Sequence, residues 1–458
     1  MIVGGGPGGY EAALVAAQLD ADVTLVDRDG LGGSAVLTDC VPSKTLIATA
    51  ELMTSIEESR ELGVTFGHVA DIDAVASVDL AKVNARVRRL AASQSADIAA
   101  KLDAEAVRVV RGTGRLDGTG TVVATTDDGV ETLPADAVLL ATGASPRILA
   151  TAPPDGERIL TWEQVYDLDA VPERLVVIGS GVTGAEFASA YNALGSDVVL
   201  VSSRDRVLPA EDADAAEVLE AVLKRRGMTV LSNSRARDVA RAGDGVTVTL
   251  ADGSTVEGSH CLVAVGSVPD TGDLGLESAG VDTDVNGFIA VDRVSRTSAR
   301  GVYAAGDCTG VLMLASVAAM QGRIAMWHAL GDAVKPLDLK TVSSNVFTAP
   351  EIATVGWSQR AVDAGEIDAR SVMLPLAGNA RAKMQGVRDG FVKLFCRPGT
   401  GIVVGGVVVG PRASELIHGV SLAVEARMTV DDVSHAFTVY PSMSGSVAEA
   451  ARRLHRHA

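Results

Sequence analysis

A glycine-rich loop occurs twice in this chain, each time at the end of a short apolar run and at the head of an Ala-rich one. Gly4-Gly5-Gly6-Pro7-Gly8-Gly9 follows Met1-Ile2-Val3, and Gly179-Ser180-Gly181-Val182-Thr183-Gly184 follows Leu175-Val176-Val177-Ile178. Residues 10–19 and 185–194 read as helices, and residues 22–26 and 197–201 as the strands that come next. Strand, Gly-x-Gly-x-x-Gly loop, helix and strand make the βαβ unit that holds a dinucleotide. Gly4 and Gly179 permit the tight turn, Gly6 and Gly181 let a diphosphate approach the backbone, and Gly9 and Gly184 let the helix pack closely on the strand. The diphosphate then lies at a helix N-terminus, where amides and the macrodipole favour an anion.

The order repeats beyond the loops. Residues 107–138 alternate as hairpin strands broken by Asp127-Asp128-Gly129 and lead into a buried strand ending at Thr142-Gly143; residues 246–256 turn at Asp252-Gly253 and lead into a strand ending at Gly266. Chance is a poor explanation for loop, hairpin and closing strand recurring in order. Two dinucleotides bound in one chain imply two redox carriers brought together.

The two units differ where a ribose is read. Asp27 ends the second strand of the first unit and suits a ribose 2′-hydroxyl. Ser202 takes its place in the second unit, followed by Arg204 and Arg206. Loss of the acid removes repulsion against a 2′-phosphate, and guanidinium groups pair with one. NADPH is the expected ligand there, with NADH tolerated; the bland alternative is that both arginines are solvated surface charges.

A net charge of −18 opposes nucleic acid as a partner, and few aromatic residues argue against stacking platforms for single strands. Apolar runs are short or cut by glycine, so no membrane span is expected. The start lacks the basic region of a signal peptide, which points to a cytoplasmic protein. Cys40, Cys261, Cys308 and Cys396 lie far apart, which suggests neither a metal site nor a disulfide framework.

Residues 45–102 read as helical, with Leu80, Val83, Val87, Leu90, Ile98 and Leu102 on one stripe. Further on, Val302-Tyr303-Ala304-Ala305-Gly306-Asp307 is a short strand ending in Gly-Asp, and residues 314–328 read as a helix. A carboxylate at such a junction suits a polyol hydroxyl; the structural alternative is that Asp307 only caps the helix. Beyond Gly331, residues 342–357, 371–376, 390–395 and 402–409 look like strands of a mixed or antiparallel sheet, and residues 413–425 and 429–436 like helices.

The stretch Gly32-Gly33-Ser34-Ala35-Val36-Leu37-Thr38-Asp39-Cys40-Val41-Pro42-Ser43-Lys44, set after the first loop, resembles the segment that carries the redox disulfide in the flavoprotein disulfide reductases, the group of dihydrolipoamide dehydrogenase and glutathione reductase. The resemblance runs over essentially the whole chain. It implies an α/β protein with two Rossmann-like dinucleotide-binding domains and an α+β C-terminal dimerisation domain. Residues 1–145 would bind FAD, 146–268 would bind NAD(P)H, 269–337 would complete the FAD site and 338–458 would make a homodimer. Gly33, Thr142 and Gly143 would join Gly4, Gly6, Gly9 and Asp27 around FAD, with Gly306 and Asp307 at the ribityl chain; Gly266 would join the second loop's glycines. Lys44 and Glu186 match an ion pair that the family places beside the flavin's reactive nitrogen.

The departures from the pattern are as informative. The family's motif has two cysteines, and Ala35 stands where the first would be, leaving Cys40 in the flavin-proximal place. A thiol relay needs a thiolate and a partner. The family's acid-base pair near the C-terminus, a His-Pro-Thr-x-x-Glu pattern from the other subunit, is here Tyr440-Pro441-Ser442-Met443-Ser444-Gly445. A phenol is a poor base for activating a thiol at neutral pH. The resemblance therefore implies an NAD(P)H oxidoreductase whose acceptor, a quinone in similar members of the lipoamide-dehydrogenase-like branch, takes electrons directly from flavin, with Tyr440 stacking on or hydrogen-bonding to it. Cys40 would either tune the flavin or fill space. A soluble NAD(P) transhydrogenase, a lipoamide-dehydrogenase-like protein without disulfide activity, and a non-enzymatic nucleotide-sensing protein are the rivals.

Overall fold

Continuous apolar runs such as Val138-Leu139-Leu140 and Leu175-Val176-Val177-Ile178 are the pattern of strands buried on both faces, and in the computed structural model each lies inside a five-stranded parallel sheet, as strands Val138–Leu140 and Arg174–Ile178. The structure describes residues 1–65 and 76–455. The chain divides into two compact units. One comprises Met1–Thr45, Asn84–Arg147 and Gly266–Asp338, the other Leu46–Val83, Ile148–Val265 and Leu339–Ala458.

In the first unit the parallel sheet runs Val302–Ala304, Val138–Leu140, Ile2–Val3, Thr24–Asp27, Arg108–Arg111. Chain order reverses about Ile2–Val3, which opens a crevice at the carboxyl ends of the strands, the usual ligand position in such sheets. Helix Pro7–Gln18 leads from the central strand, and helix Ala315–Ala329 packs on it so closely that a Cβ on Gly322 would lie 2.0 Å from the Gly8 carbonyl oxygen. The expected hairpin is present: Thr121–Thr126 and Gly129–Pro134 pair antiparallel across Asp127-Asp128, with Thr113–Leu116 completing three strands.

The second unit repeats the plan. Its parallel sheet is ordered Thr229–Leu231, Asp197–Val201, Arg174–Ile178, His260–Val263, Ile159–Leu160, beside an antiparallel trio Ala236–Ala242, Gly245–Leu250, Thr255–Gly258 that turns at Asp252-Gly253. A five-stranded antiparallel sheet follows, ordered Ser343–Val346, Glu351–Gly356, Val403–Gly410, Phe391–Cys396, Arg370–Pro375. Helices Ala413–Glu425 and Gly445–His455 contribute to its core through Ile417, Val420, Val447, Ala450 and Leu454.

Several sequence expectations need correction. The run 342–357 folds back on itself: Thr348-Ala349-Pro350 separates Ser343–Val346 from Glu351–Gly356, because Pro350 has no amide for a ladder. Helix 429–436 is Val430–His435, started by a capping box between Thr429 and Asp432. The helical stretch 45–102 is a helix Cys40–Glu58, a short 3-10 turn Ser59–Leu62 and a helix Leu80–Ala104; residues 66–75 lie outside the described residues. Leu90 falls off the buried stripe at 36% exposure while Ala91 is covered. Helix Gly445–His455 lies beyond the expected helices, although Val447, Ala450, Ala451 and Leu454 carry its spacing.

One buried histidine gives the second unit a pH dependence. His260 Nε2 lies 3.1 Å from Arg158 Nη1 and its Nδ1 3.0 Å from Ser259 Oγ. Burial and the Arg158 charge push its pKa down to about 4. Between about 4 and the ordinary value the unfolded chain binds the extra proton, so stability rises with pH across that window and is lost as pH falls through it. His260→Gln is expected to flatten that part of a pH series of thermal melts; an unchanged slope would show that His260 is not its source.

Candidate active site

Each glycine loop is shaped by contacts that no side chain can share. A Cβ on Gly9 would lie 1.8 Å from the Gly4 carbonyl oxygen, and one on Gly184 would lie 1.8 Å from that of Gly179. Gly4 and Gly179 themselves have φ of +103° and +111°. The middle glycines differ in kind. Gly6 and Gly181 are extended N-caps of helices Pro7–Gln18 and Val182–Ala193, and neither helix has a side-chain cap. A Cβ on Gly181 would meet nothing within 4 Å, and one on Gly6 only Gly33 Cα at 3.9 Å. Both loops are thus open cradles backed by uncapped helix amides, as a diphosphate requires.

Around the first cradle, Gly33 closes against the loop: its Cβ would come within 2.7 Å of Gly6 Cα. Asp27 accepts the Gly5 amide at 2.7 Å and the Gly30 amide at 2.5 Å, so its carboxylate shapes the loop and keeps lone pairs for a ribose hydroxyl. Thr142 and Gly143 lie where the chain leaves strand Val138–Leu140. The Thr142 hydroxyl donates to the Asp270 carbonyl at 2.7 Å, and the Gly143 carbonyl accepts the Asp270 amide at 3.1 Å.

Asp307 does not cap the following helix. That helix, Ala315–Ala329, has Leu314 at its N-cap, and Asp307 instead heads a 3-10 turn Asp307–Thr309. The Gly306 amide is held by Gln321 Oε1 at 2.9 Å. No hydrogen bond reaches the Asp307 carboxylate among the described residues, and burial with the nearby charge of Asp39 pushes its pKa up to about 6. Asp39 is a member of this site that sequence reading passed over, although it adjoins Cys40. Its own pKa is raised by burial and pulled back by Lys44. Cys40 is the half-buried first residue of helix Cys40–Glu58, with Lys44 one turn on. A half-buried carboxylate with no hydrogen-bond partner among the described residues, beside an open diphosphate cradle, fits the polyol and diphosphate of FAD.

Around the second cradle, Ser202 is fully buried and its hydroxyl is turned inward. Its hydroxyl lies 2.7 Å from Ser180 Oγ, accepts the Arg204 amide at 3.1 Å and reaches the Arg204 carbonyl at 3.1 Å. It therefore shapes the turn that carries the arginines. Arg204 is exposed; Arg206 is half-buried, and its Nε is shielded from water with no hydrogen-bond partner among the described residues. Gly266 adopts φ +93° after the strand His260–Val263. Glu186, 4% exposed on helix Val182–Ala193, accepts the Phe347 amide at 2.8 Å, and Ser189 Oγ one turn later accepts that of Ala349 at 3.3 Å. Sequence reading did not foresee that the 343–356 hairpin would fix this carboxylate.

Tyr440 is 86% exposed in a segment where Phe437 and Val439 are exposed too. Gly445, in the place the resemblance gives to a glutamate, begins helix Gly445–His455 and offers only backbone. Among the described residues no helix is long and apolar enough to cross a membrane.

Residues 1–322 match the family described as pyridine nucleotide-disulphide oxidoreductase, and residues 342–451 match its dimerisation domain. A Mycobacterium tuberculosis protein named NAD(P)H dehydrogenase (quinone) is 56% identical over 100% of this chain and 94% of its own length. A dihydrolipoyl dehydrogenase of Chlorobaculum tepidum is 35% identical over 98% of this chain and 95% of its own. Among solved structures, LpdA from Mycobacterium tuberculosis superposes with a TM-score of 0.93 at 55% identity, covering 99% of each chain.

Proposed function

The chain belongs to the pyridine nucleotide-disulphide oxidoreductase family, and on that premise we propose that it is an FAD-dependent NAD(P)H:quinone oxidoreductase that works without a dithiol relay. The observation that carries the reading is selective loss: both nucleotide cradles are formed, while Ala35, Tyr440 and Gly445 stand where the family's thiol chemistry would be.

The amides at Gly6 hold the FAD diphosphate, Asp27 a ribose hydroxyl, and Asp307 a ribityl hydroxyl. FAD bound there would supply a ring able to take a hydride from a nicotinamide and give up two electrons to a quinone. Lys44 brings positive charge to that cradle, moderated by Asp39. The amides at Gly181 hold the second diphosphate, and Arg206, with Arg204, meets the 2′-phosphate of NADPH; NADH binds without that contact. Glu186, held by the Phe347 amide, is a fixed carboxylate for nicotinamide orientation. Cys40 has no sulfur at position 35 to pair with. The balance is NADPH plus quinone plus one proton giving NADP⁺ plus hydroquinone.

Residues 1–145 and 269–337 supply the FAD part, 146–268 the NAD(P)H part and 338–458 the dimer interface of a cytoplasmic homodimer. The exposed Phe437, Val439 and Tyr440 support such an interface, with Tyr440 offered to the partner's quinone pocket. Steady-state turnover with NADPH and NADH against a quinone, lipoamide and an NADP⁺ analogue tests the whole reading. Quinone turnover with NADPH favoured, and Arg206→Ala reducing that preference about tenfold, is expected. Efficient exchange between nicotinamides with little quinone turnover would mark a transhydrogenase instead.

A further inference from the structure

Lys393 carries the most enclosed ammonium group of the ion pairs between described residues, and nothing in the chemistry above employs it. Its side chain is 4% exposed on strand Phe391–Cys396, with Nζ 2.9 Å from Asp212 Oδ2, 3.1 Å from Asp212 Oδ1 and 2.6 Å from Asp214 Oδ2. The Phe391 and Phe395 rings lie on either side, each centroid 5.9 Å from Nζ. Val392, Leu394 and Cys396 alternate with these residues and face the core that includes Ile417 and Val420, so Lys393 projects from the opposite face of the sheet. A buried ion pair is seldom a source of net stability, because desolvation offsets the attraction; its better-attested value is in fixing one arrangement.

What it fixes is the end of the ribose-reading segment. Asp212, 1% exposed in its side chain, is the N-cap of helix Ala213–Arg225 and accepts the Asp214 and Ala215 amides at 3.1 and 3.4 Å. It is also the last residue of the connection 202–212, which carries Arg204 and Arg206. That connection is fastened to the cradle itself, at its near end through Ser202 Oγ to Ser180 Oγ and at its middle through the Leu208 amide to the Ser180 carbonyl at 2.8 Å. Leu208 is 1% exposed with φ +50°, a left-handed conformation that a leucine keeps only where its surroundings over-determine it. Arg206, two residues before it, has the shielded, unpartnered Nε. A segment pinned at the cradle, strained in the middle and locked at the far end presents its guanidinium in one place.

We propose that Lys393 is a positioning residue for nucleotide selection: by holding Asp212 and Asp214 it fixes the 202–212 segment so that Arg206 meets the 2′-phosphate of NADPH. A residue of the dimerisation domain thereby sets which nicotinamide dinucleotide the second cradle prefers. The inference rests on the reading of that cradle as the NADPH site.

The test uses the purified holoenzyme and two variants. Lys393→Met leaves Asp212 buried without its cation and is expected to lower the melting temperature. Lys393→Met combined with Asp212→Asn removes both buried charges, keeps an N-cap residue, and is the variant on which the proposal is judged. In it, KM for NADPH should rise about tenfold with kcat within about twofold of wild type, while KM for NADH changes little. Binding of 2′,5′-ADP should weaken by a similar factor and binding of 5′-AMP should not. A folded double variant with wild-type NADPH preference, or with kcat reduced and KM unchanged, overturns the proposal. A wild-type enzyme that binds 2′,5′-ADP no better than 5′-AMP overturns the underlying reading of the site instead, so the two failures are distinct.

Discussion

Gly6→Val is expected to give a folded protein that purifies without flavin, whereas Gly181→Val gives a flavin-loaded protein that dithionite reduces and NADPH does not. The two positions are equivalent in the repeat, and both are extended residues whose φ and ψ a valine adopts without strain. A Cβ at Gly181 meets no atom within 4 Å beyond its chain neighbours, and one at Gly6 comes no closer than 3.9 Å, to Gly33 Cα. The fold therefore tolerates each change, and the added methyl groups occupy only the place of the diphosphate, with a loss of roughly 100-fold or more in affinity. Absorbance of the purified proteins and anaerobic titration with NADPH and dithionite read the result. Flavin retained in Gly6→Val, or NADPH reduction retained in Gly181→Val, would mean that the loops are assigned to the wrong dinucleotides.

Asp307→Asn is expected to move two properties in opposite directions. FAD affinity should fall about 10- to 100-fold, because an amide replaces a carboxylate as hydrogen-bond acceptor. The flavin-free protein should become more stable at pH 7, on the order of 2 kcal/mol, because a buried charge is removed. The sign follows from linkage: the folded state holds the Asp307 proton up to about pH 6 and the unfolded state only to the ordinary carboxylate range, so flavin-free wild type loses stability as pH rises through that window. Asp307→Asn removes that slope. Melting curves of the two flavin-free proteins from pH 4 to 7 decide it, since a variant less stable at pH 7 would make Asp307 a structural carboxylate.

The parts of this molecule legible in the sequence are those set by neighbours in the chain. The two glycine loops, the turns at Asp127-Asp128 and Asp252-Gly253 and the helix Ala413–Glu425 follow from local periodicity and turn chemistry. What escaped depends on partners far along the chain or on the direction a side chain takes. Ser202 follows the second unit's strand as Asp27 follows the first, yet its small hydroxyl turns inward to Ser180, and of the two arginines beyond it Arg204 is exposed while Arg206 is half-buried. Asp39 acquires meaning only when folding brings it near Asp307, and the Phe347 amide only when the hairpin reaches Glu186. Lys393 reads as one more charged residue in an alternating strand until Asp212, from another sheet's crossover, covers it. Asp307 is legible in part: a carboxylate after a strand suits a cap as well as a polyol, and Leu314 at the cap position excludes the first.

The proposed function requires that reduced flavin in this protein hand its electrons to a quinone without a dithiol. It is tested most directly by anaerobic double-mixing stopped flow: the enzyme is reduced with one equivalent of NADPH, then mixed with a quinone or with lipoamide while flavin absorbance is followed. Rapid, concentration-dependent reoxidation by the quinone is expected, with no reoxidation by lipoamide on the same timescale and the same quinone rate within about twofold in Cys40→Ser. Flavin that stays reduced in the presence of quinone, or reoxidation by lipoamide that depends on Cys40, would contradict it.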